Sequence, residues 1–340
     1  MIWGENGSGK TTVLEGIYFL TFGKSFKTFK QDQLIQEGKN QALIKGVFTS
    51  KYRNDTITAN IDKTSKKTIK INEKKITNRK DLIGRNNVVV LSPEEQSITK
   101  GAPLQRRQFI DKMFSTTDNQ YIETLQYYNR ILKQRNAILL EIRAKKISNN
   151  QLKHWNEQLS IYAEKLWISR TKKINKFNKI LSFVLKTYNQ EIDIKLKYNV
   201  KIKTKEEMFN TFKKNEQKDI DRARTSVGPH LDDLVLLWKN KNIRLYGSQG
   251  EHKITLFLLK VSEMLFLKKE TGFFPILLLD DLFAKIDLER SKKIVSILNK
   301  ISLDKNTRAQ TIITTTDILN VEKSGLLEEY KDIKTIKLER

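Results

Sequence analysis

The chain has 340 residues, of which 38% are hydrophobic and 30% charged, a balance typical of a globular protein and not of a disordered one. It has no cysteine and three histidines, which excludes disulfides and zinc–thiolate sites and argues against a histidine-rich metal site. The formal net charge of +25 favours a polyanionic partner such as nucleic acid, although a general bias toward lysine would produce the same excess.

Two further features narrow the cellular setting. The most apolar region, 273–279, ends at two aspartates and is too short to cross a bilayer, so we expect no membrane span. The first residues lack the basic and apolar regions of a secretion signal. We therefore expect a cytoplasmic protein.

A phosphate-binding pattern opens the chain. It fits the Walker A spacing G-x-x-x-x-G-K-[ST] and comprises Gly4, Glu5, Asn6, Gly7, Ser8, Gly9, Lys10 and Thr11, with Thr12 next in line. Glycines let backbone N–H groups turn toward phosphate oxygens, while Lys10 supplies a positive charge for the β- and γ-phosphates. The Thr11 hydroxyl can ligate Mg²⁺, which prefers oxygen. We therefore expect a nucleoside triphosphate to bind here with Mg²⁺.

A helix is predicted to follow this loop, and its N-terminal end would favour phosphate binding. The predicted apolar face comprises Val13, Leu14, Ile17, Phe19 and Leu20. A loop of this kind normally follows a buried strand, but three residues precede it here. Either other segments complete a short strand, or the chain lacks its natural beginning.

The hydrophobic patterning predicts an α/β core interrupted by helices. Strands are predicted at 42–48, 56–61, 68–71, 88–91, 192–200, 234–238, 275–279 and 311–314, the first three forming an antiparallel meander. Helices are predicted within 103–190 and at 250–268 and 288–300. We divide the chain into the first part of a nucleotide-binding head at 1–100, a helical arm at 101–190 and the rest of the head at 191–340.

A second nucleotide motif lies far downstream. Four apolar residues precede Asp280 and Asp281, the Walker B pattern in which a buried strand carries a carboxylate to the edge of the sheet. Asp280 could hold Mg²⁺, and Asp281 could orient or deprotonate an attacking water. The alternative is a strand that ends in a solvated acidic turn.

Ser248, Gln249 and Gly250 stand directly before a predicted helix. The order of loop, long insertion, serine motif and Walker B motif is that of ABC-type ATPases, in which the serine motif faces a γ-phosphate held by a second subunit. The alternative for so short a motif is an ordinary helix N-cap. The predicted fold is an α/β, ABC-type P-loop ATPase head, a mixed sheet with flanking helices plus an antiparallel meander, with an inserted helical arm.

Several ordered motifs resemble the RecF family of SMC-like ABC ATPases. One is G-x-P-x-x-R-R-x-F-x-D at 101–111, and another is the G-P-H-x-D-D element at 228–233. The resemblance runs through most of the chain and also includes 12–26, 91–94, 127–136, 246–250 and 278–290.

The resemblance implies roles for the residues at matching positions. The loop, 4–12, would bind ATP, with Lys10 serving catalysis. Thr11 and Asp280 would hold Mg²⁺, and Asp281 would activate water.

It also implies residues that act across a dimer. Ser248, Gln249 and Gly250 would contact the nucleotide of the other subunit, and Asp287 would lie at the dimer interface. The implied activity is slow ATP hydrolysis, at most a weak DNA-dependent ATPase, coupled to dimerisation on gapped, single-stranded or double-stranded DNA. With RecO and RecR the family helps to load RecA recombinase in recombinational repair, replication and the SOS response.

The chain departs from the family pattern at several positions. Leu231 replaces the arginine of the G-P-H-R-D-D element, Lys27 replaces an arginine, and Glu251 stands where glutamine is common. Gln96 is a candidate for the Q-loop glutamine. Family members usually have further strands before the loop, so the alternative function is a truncated, non-hydrolysing DNA-binding remnant. An ABC transporter ATPase fits less well, because in that class the insertion between the phosphate loop and the serine motif is shorter than in this chain.

Some basic residues have two interpretations. Arg106 and Arg107 could contact DNA phosphates, or Arg107 could pair with Asp111 one helical turn away. Lysine pairs at 145–146 and 172–173 are either solvated faces or part of a DNA groove.

Overall fold

The computed structural model describes residues 1–28, 30–50, 53–64, 66–200, 202, 204–281, 288–304, 307–316, 318–326 and 333–339. The chain divides into two compact units. The first unit comprises Met1–Gln96 and Leu256–Arg340, and the second comprises Ser97–Thr255.

The regular elements of the described residues are numbered here in chain order. The strands are β1 (Ile2–Gly4), β2 (Gln41–Ser50), β3 (Arg53–Asp62), β4 (Lys67–Ile71), β5 (Lys74–Lys75), β6 (Val88–Leu91), β7 (Ile194–Tyr198), β8 (Leu234–Trp238), β9 (Lys241–Asn242), β10 (Ile276–Asp280), β11 (Leu303–Asp304), β12 (Thr307–Arg308), β13 (Thr311–Thr315) and β14 (Ile336–Leu338). The helices are α1 (Lys10–Phe22), α2 (Ser97–Lys100), α3 (Pro103–Thr117), α4 (Asn119–Arg143), α5 (Leu152–Tyr188), α6 (Lys205–Lys214), α7 (Glu216–Arg222), α8 (Ile243–Tyr246), α9 (Gln249–Thr271), α10 (Leu288–Ser302) and α11 (Ile318–Lys323).

A five-stranded sheet forms the centre of the first unit. Its strand order is β14-β1-β13-β10-β6, and all four neighbouring pairs are parallel. The short strand β1 is completed on both sides by strands from the end of the chain, which settles how so short a strand can support the loop after it. Parallel strands end at the same edge of a sheet, so the residues after β1, β10 and β13 meet there.

Helix α1 packs between this sheet and the meander. Leu14, Tyr18 and Phe22, spaced by four residues, join a cluster with Val88 and Leu278 of the parallel sheet. The face was predicted in part. Leu14, Phe19 and Leu20 are buried as expected, whereas Val13 is 41% exposed. The row of residues that faces the sheet begins at Leu14, one residue after Val13.

The meander predicted from alternation is confirmed. β2, β3, β4 and β5 form an antiparallel sheet in sequence order, and the short strand β5, which was not predicted, forms a hairpin with β4. Alternate residues of β3 point into the core, where Ile57, Ala59 and Ile61 are fully buried beside Phe19 and Leu20 of α1.

The second unit is a helical body with a small antiparallel sheet, β7-β8-β9. Its helices α3, α4 and α5 occupy the region predicted as the arm at 101–190. The unit extends to Thr255, however, and includes helices α6 and α7, which were not predicted. Strand β7 belongs to this unit because Asn178 of α5 pairs with it as a neighbouring strand would. Its amide donates to Leu196 O at 2.8 Å and accepts from Leu196 N at 3.1 Å, which ties β7 to α5.

A buried arginine connects four segments of this unit. The Arg135 side chain is fully buried. Its Nη1 donates to Asp219 Oδ2 at 2.8 Å and to Thr225 Oγ1 at 2.7 Å, and its Nε donates to Asn156 Oδ1 at 2.7 Å. Because both Arg135 and Asp219 are shielded from water, each depends on the other for charge neutralisation.

His230 follows a proline in the loop before β8. Its Nδ1 accepts from the Tyr128 hydroxyl at 2.6 Å, and its Nε2 donates to Thr225 O at 3.3 Å. Burial lowers the pKa of His230 to about 4, so the imidazole is neutral in the folded protein near pH 7. His230 therefore joins Tyr128 of α4 to Thr225 through two hydrogen bonds and serves the fold.

Replacing Arg135 with methionine should lower the free energy of unfolding by about 3–5 kcal/mol, because Asp219 would keep a buried charge without its partner. Urea unfolding followed by circular dichroism measures the change. Arg143→Met, at an exposed position of the same helix, is the matched control and should cost less than about 0.5 kcal/mol. Equal losses in the two variants would contradict a special role for Arg135.

Stability should fall on acidification through the window from pH 6.5 to about 4. The folded-state pKa of His230 lies below its ordinary value of 6.5, so protons bind preferentially to the unfolded chain. The stabilisation is complete above pH 6.5 and is lost as the pH falls toward 4, by up to about 3 kcal/mol. Urea midpoints at several pH values test this. His230→Gln should flatten the profile, while His154→Gln, at an exposed position, should not, and an unaltered profile in His230→Gln would refute the assignment.

Candidate functional site

The loop between β1 and α1 has a backbone that only glycine accommodates readily. Gly7 and Gly9 have φ of 85° and 89°, in the left-handed region. A Cβ on Gly4 would lie 2.3 Å from Leu338 O, so β14 passes too close for any other residue there. Nothing lies within 4 Å of a Cβ placed on Gly9, so the loop faces open space on that side.

Two polar side chains of the loop, those of Lys10 and Ser8, turn into its interior. Lys10 is buried, and its Nζ donates to Gly4 O at 2.8 Å and to Glu5 O at 2.6 Å. The buried Ser8 Oγ has no hydrogen-bond partner among the residues that the structure describes. A positive charge, an unpaired hydroxyl and the N-terminus of a 13-residue helix therefore converge on one loop, which suits a bound phosphate.

Thr11 and Asp280, which are 269 positions apart in sequence, meet beside this loop. Thr11 Oγ1 donates to the Asp280 carboxylate, at 3.0 Å from Oδ1 and 3.1 Å from Oδ2. Thr314 belongs to β13, the strand between β1 and β10, and it pairs with Ile2 on one side and with Asp280 on the other. Its hydroxyl donates to Asp280 Oδ1 at 2.6 Å.

This oxygen-rich pair fits Mg²⁺. Hydroxyl and carboxylate oxygens are the ligands that this hard cation prefers. Within the described residues no group of three or more histidine and carboxylate side chains is placed to hold a metal. Two protein ligands, Thr11 and Asp280, leave further positions for water and phosphate, which is how Mg²⁺ is commonly bound.

Asp281 has an unusual backbone conformation. Its φ is 50°, a left-handed value that is uncommon outside glycine. The Asp281 N–H lies 3.1 Å from Thr314 O and 3.2 Å from Thr314 Oγ1, so β13 holds the residue in this conformation. Strained residues that surrounding structure holds in place often occur at functional sites.

A cleft of 1260 Å³ adjoins the loop. Ser8, Gly9 and Thr12 line one part of it, and α1 and β2 line another. β2 is the outer strand of the described four-stranded sheet, and its Leu43 and Val47 are 69% and 60% exposed. Small-molecule sites usually measure about 300–1,000 Å³, so the cleft leaves room for groups attached to a phosphate held by the loop.

The predicted serine motif lies in the second unit. Ser248 and Glu251 form a reciprocal cap at the start of α9: Glu251 N donates to Ser248 Oγ at 3.3 Å, and Ser248 N donates to Glu251 Oε2 at 2.7 Å. The helix N-cap considered as the alternative is therefore present. It satisfies the N–H of Glu251 and leaves those of Gln249 and Gly250 at the open end of the helix. Asp287 lies outside the described residues.

The two arginines of the 101–111 segment hold the 228–233 segment. Arg106 Nη2 donates to Asp233 Oδ1 at 2.9 Å, and Arg107 Nη1 donates to Asp232 O at 2.5 Å. Asp111 pairs with Arg170 at 2.9 Å instead of with Arg107. These contacts favour a structural role for both arginines. The Arg107–Asp111 pair considered from the sequence does not form, because Arg107 contacts Asp232 and Asp111 contacts Arg170.

Sequence reasoning missed two contributors to the site. Thr314 was seen as part of a strand, although the threonine-rich run 314–316 before a turn is a signal for hydroxyls at the sheet edge. Leu338 contributes a backbone oxygen behind Gly4, and only strand pairing brings it there.

Comparison with known proteins places this arrangement in a class. The RecF/RecN/SMC N terminal domain family matches residues 1–335. The structure of the Smc head bound to the C-winged helix domain of ScpA shares the fold at a TM-score of 0.52 and 16% identity, covering 95% of this chain and 83% of that one. The fold and loop thus define an ABC-type ATPase head of the kind found in SMC proteins.

Similar sequences narrow the class. The DNA replication and repair protein RecF of Clostridium botulinum (strain Okra / Type B1) is 36% identical over 325 residues, covering 94% of this chain and 86% of the relative. RecF of Clostridium perfringens (strain SM101 / Type A) is 35% identical over 320 residues, covering 93% and 86%. The structure of the recombination mediator protein RecF-ATP in the RecFOR pathway superposes with a TM-score of 0.85 at 27% identity, covering 99% of this chain and 88% of that one. The chain belongs to the RecF family of DNA replication and repair proteins.

The described part of the chain has no helix that combines the length and apolarity needed to span a bilayer.

Proposed function

We propose that this chain is an ATP-dependent DNA-binding protein of recombinational repair and replication, in which ATP drives dimerisation and hydrolysis is slow. The observation that carries the proposal is the contact of Thr11 with Asp280 beside a loop built from glycines and a buried lysine. It joins the two halves of a nucleotide site from opposite ends of the chain. The related RecF-ATP structure supports ATP as the ligand.

In this proposal the loop residues bind the triphosphate. Gly7 and Gly9 allow the backbone N–H groups to face it, and Lys10 exchanges its two carbonyl partners for phosphate oxygens. Thr11 and Asp280 hold Mg²⁺, which when bound would neutralise phosphate charge and fix the leaving group. Thr314 keeps the Asp280 carboxylate oriented by its 2.6 Å hydrogen bond.

Asp281 has the role of orienting water for hydrolysis. Its position directly after Asp280, held by Thr314, places a carboxylate next to the proposed metal ligands. In the reaction the water oxygen bonds to the γ-phosphorus, the bond to the bridging oxygen breaks, and Asp281 receives the proton from water. Before a second subunit completes the site, Asp281 alone would promote hydrolysis slowly. Slow hydrolysis suits a clamp that ATP holds closed.

The serine motif provides the link to dimerisation. The N–H groups of Gln249 and Gly250 at the start of the 23-residue helix α9 can receive a γ-phosphate from a second subunit. Asp287 follows in the same proposal as an interface residue. ATP would then be shared by two copies, and its hydrolysis would release them.

The proposed ligand of the dimer is DNA, gapped or single- or double-stranded. The net charge of +25 suits a polyanion. RecO-like and RecR-like proteins are the proposed partners, with loading of RecA recombinase as the outcome, because the related structures belong to a RecFOR pathway. Such work on the chromosome implies a bacterial cytoplasmic location.

The decisive experiment is the mass of the protein in solution with and without ATP–Mg²⁺. We expect an ATP-induced dimer, more persistent in Asp281→Asn because hydrolysis is slowed while the nucleotide contacts remain. Lys10→Ala should stay monomeric because it loses the charge that binds phosphate. Light scattering coupled to size exclusion measures all three proteins.

A monomer under every condition, with DNA binding that ignores ATP and survives Lys10→Ala, would overturn the proposal. That outcome would instead support the non-hydrolysing DNA-binding remnant.

Thr314→Val should weaken ATP binding at limiting Mg²⁺ by about three- to tenfold, because loss of one hydrogen bond of about 0.5–1.5 kcal/mol frees the Asp280 carboxylate to rotate. Titration of a fluorescent ATP analogue at several Mg²⁺ concentrations measures this. Thr311→Val, on the opposite face of the same strand, is the matched control. Equal Mg²⁺ dependence in both variants would show that Thr314 does not orient the ligand.

A further inference from the structure

One face of helix α5 carries a row of exposed lysines. Residues 165–190 contain no aspartate or glutamate. Five lysines in this segment are exposed: Lys165, Lys172, Lys176, Lys179 and Lys186. At 100° per residue they fall within a stripe roughly 80° wide, which we call the α5 stripe, and at 1.5 Å per residue the stripe is about 32 Å long.

The opposite face of the helix shows what basic residues do when they serve the fold. Arg170 is 2% exposed and pairs with Asp111 at 2.9 Å, and Lys173 is buried and pairs with Asp118 at 3.0 Å. Within one helix the chain therefore separates neutralised basic residues from exposed ones. The adjacent pair Lys172 and Lys173, left open from the sequence, divides between the two faces.

Three lysines of the stripe have no acidic partner among the described residues. Lys172, Lys179 and Lys186 form no ion pair with any carboxylate that the structure describes. A solvated face of an ordinary helix usually mixes both signs, because unlike charges one turn apart stabilise it and like charges do not. A stripe of like charge is therefore kept at a cost in stability, which an anionic partner would offset.

Apolar side chains interrupt the stripe at two points. Ile168 is 63% exposed and Phe183 is 59% exposed, and both lie between lysines on the same face. Nucleic-acid surfaces combine lysines for phosphates with apolar or aromatic side chains for sugars and bases. The length of about 32 Å corresponds to about nine base pairs at 3.4 Å each.

We propose that the α5 stripe binds the phosphodiester backbone of DNA. This inference rests on the proposed DNA-binding function and names the surface that performs it. The contacts are phosphate to lysine, so the surface holds DNA without reading sequence. Each phosphate that a lysine neutralises releases a counterion, which makes the binding steeply dependent on salt.

The test replaces three lysines of the stripe. In the stripe variant Lys172, Lys179 and Lys186 become glutamine, which keeps helix propensity while removing charge. In the matched control Lys214, Lys218 and Lys241, exposed elsewhere in the same unit, become glutamine, so both variants lose three charges. Far-UV circular dichroism checks the fold of each.

Binding of fluorescent oligothymidylate and of a duplex, each about 30 units long, is titrated over a salt series. The stripe variant should bind at least about tenfold more weakly, and its slope of log K against log salt should be shallower by about 3. The control should match the parent chain. Equal weakening of both variants, or no weakening of the stripe variant, would overturn the assignment.

Two further measurements distinguish a failure of this inference from a failure of the proposed DNA-binding function. ATP-induced dimerisation should be unaltered in the stripe variant, because its substitutions avoid the nucleotide site. If the parent chain dimerises and binds DNA while the stripe variant binds equally well, the inference fails and the proposed function stands. If the parent chain binds no DNA, both fail. Binding of the stripe to vesicles containing anionic lipid, with DNA binding unaffected by the substitutions, would assign it to a membrane surface and refute the inference.

Discussion

The proposed nucleotide site depends on the position of one strand, β13, between β1 and β10. Because all three strands are parallel, the loop after β1 and the carboxylates after β10 emerge at the same edge. Thr314 of β13 bridges the gap, with its hydroxyl on Asp280 and its carbonyl on the N–H of Asp281. Any change that displaced this strand would separate the proposed metal ligands from the phosphate loop.

The loop illustrates how backbone requirements and chemistry coincide. Glycine at position 4 lets β14 pass close behind the loop, and glycines at 7 and 9 supply conformations that other residues resist. The Lys10 ammonium group donates hydrogen bonds to two carbonyl groups of the loop, and no carboxylate of the loop pairs with it. A phosphate can replace those neutral contacts without first breaking an ion pair.

The second unit uses charge in two different ways. Inside, Arg135 and Arg170 are neutralised by aspartates and hold together segments that are far apart in sequence. Removing either partner of such a pair leaves a buried charge, which explains why these contacts matter for stability. On the solvent face of α5, Lys172, Lys179 and Lys186 form no ion pair with a described carboxylate, and there the charge is available to a partner. The same residue types thus serve the fold or an interaction according to the face they occupy.

The sequence by itself determined the class of fold, the loop, the Walker B strand, the meander and most helices, because these follow from local spacing and hydrophobic period. It also indicated the RecF family through the order of its motifs. Only the tertiary structure decided which strands complete β1, that Thr314 orients Asp280, and that Arg106 and Arg107 hold the 228–233 segment. It likewise separated Lys172 from Lys173. The reason is physical: strand neighbours and the partners of a charged side chain depend on contacts between residues far apart in the chain, which local patterns do not encode.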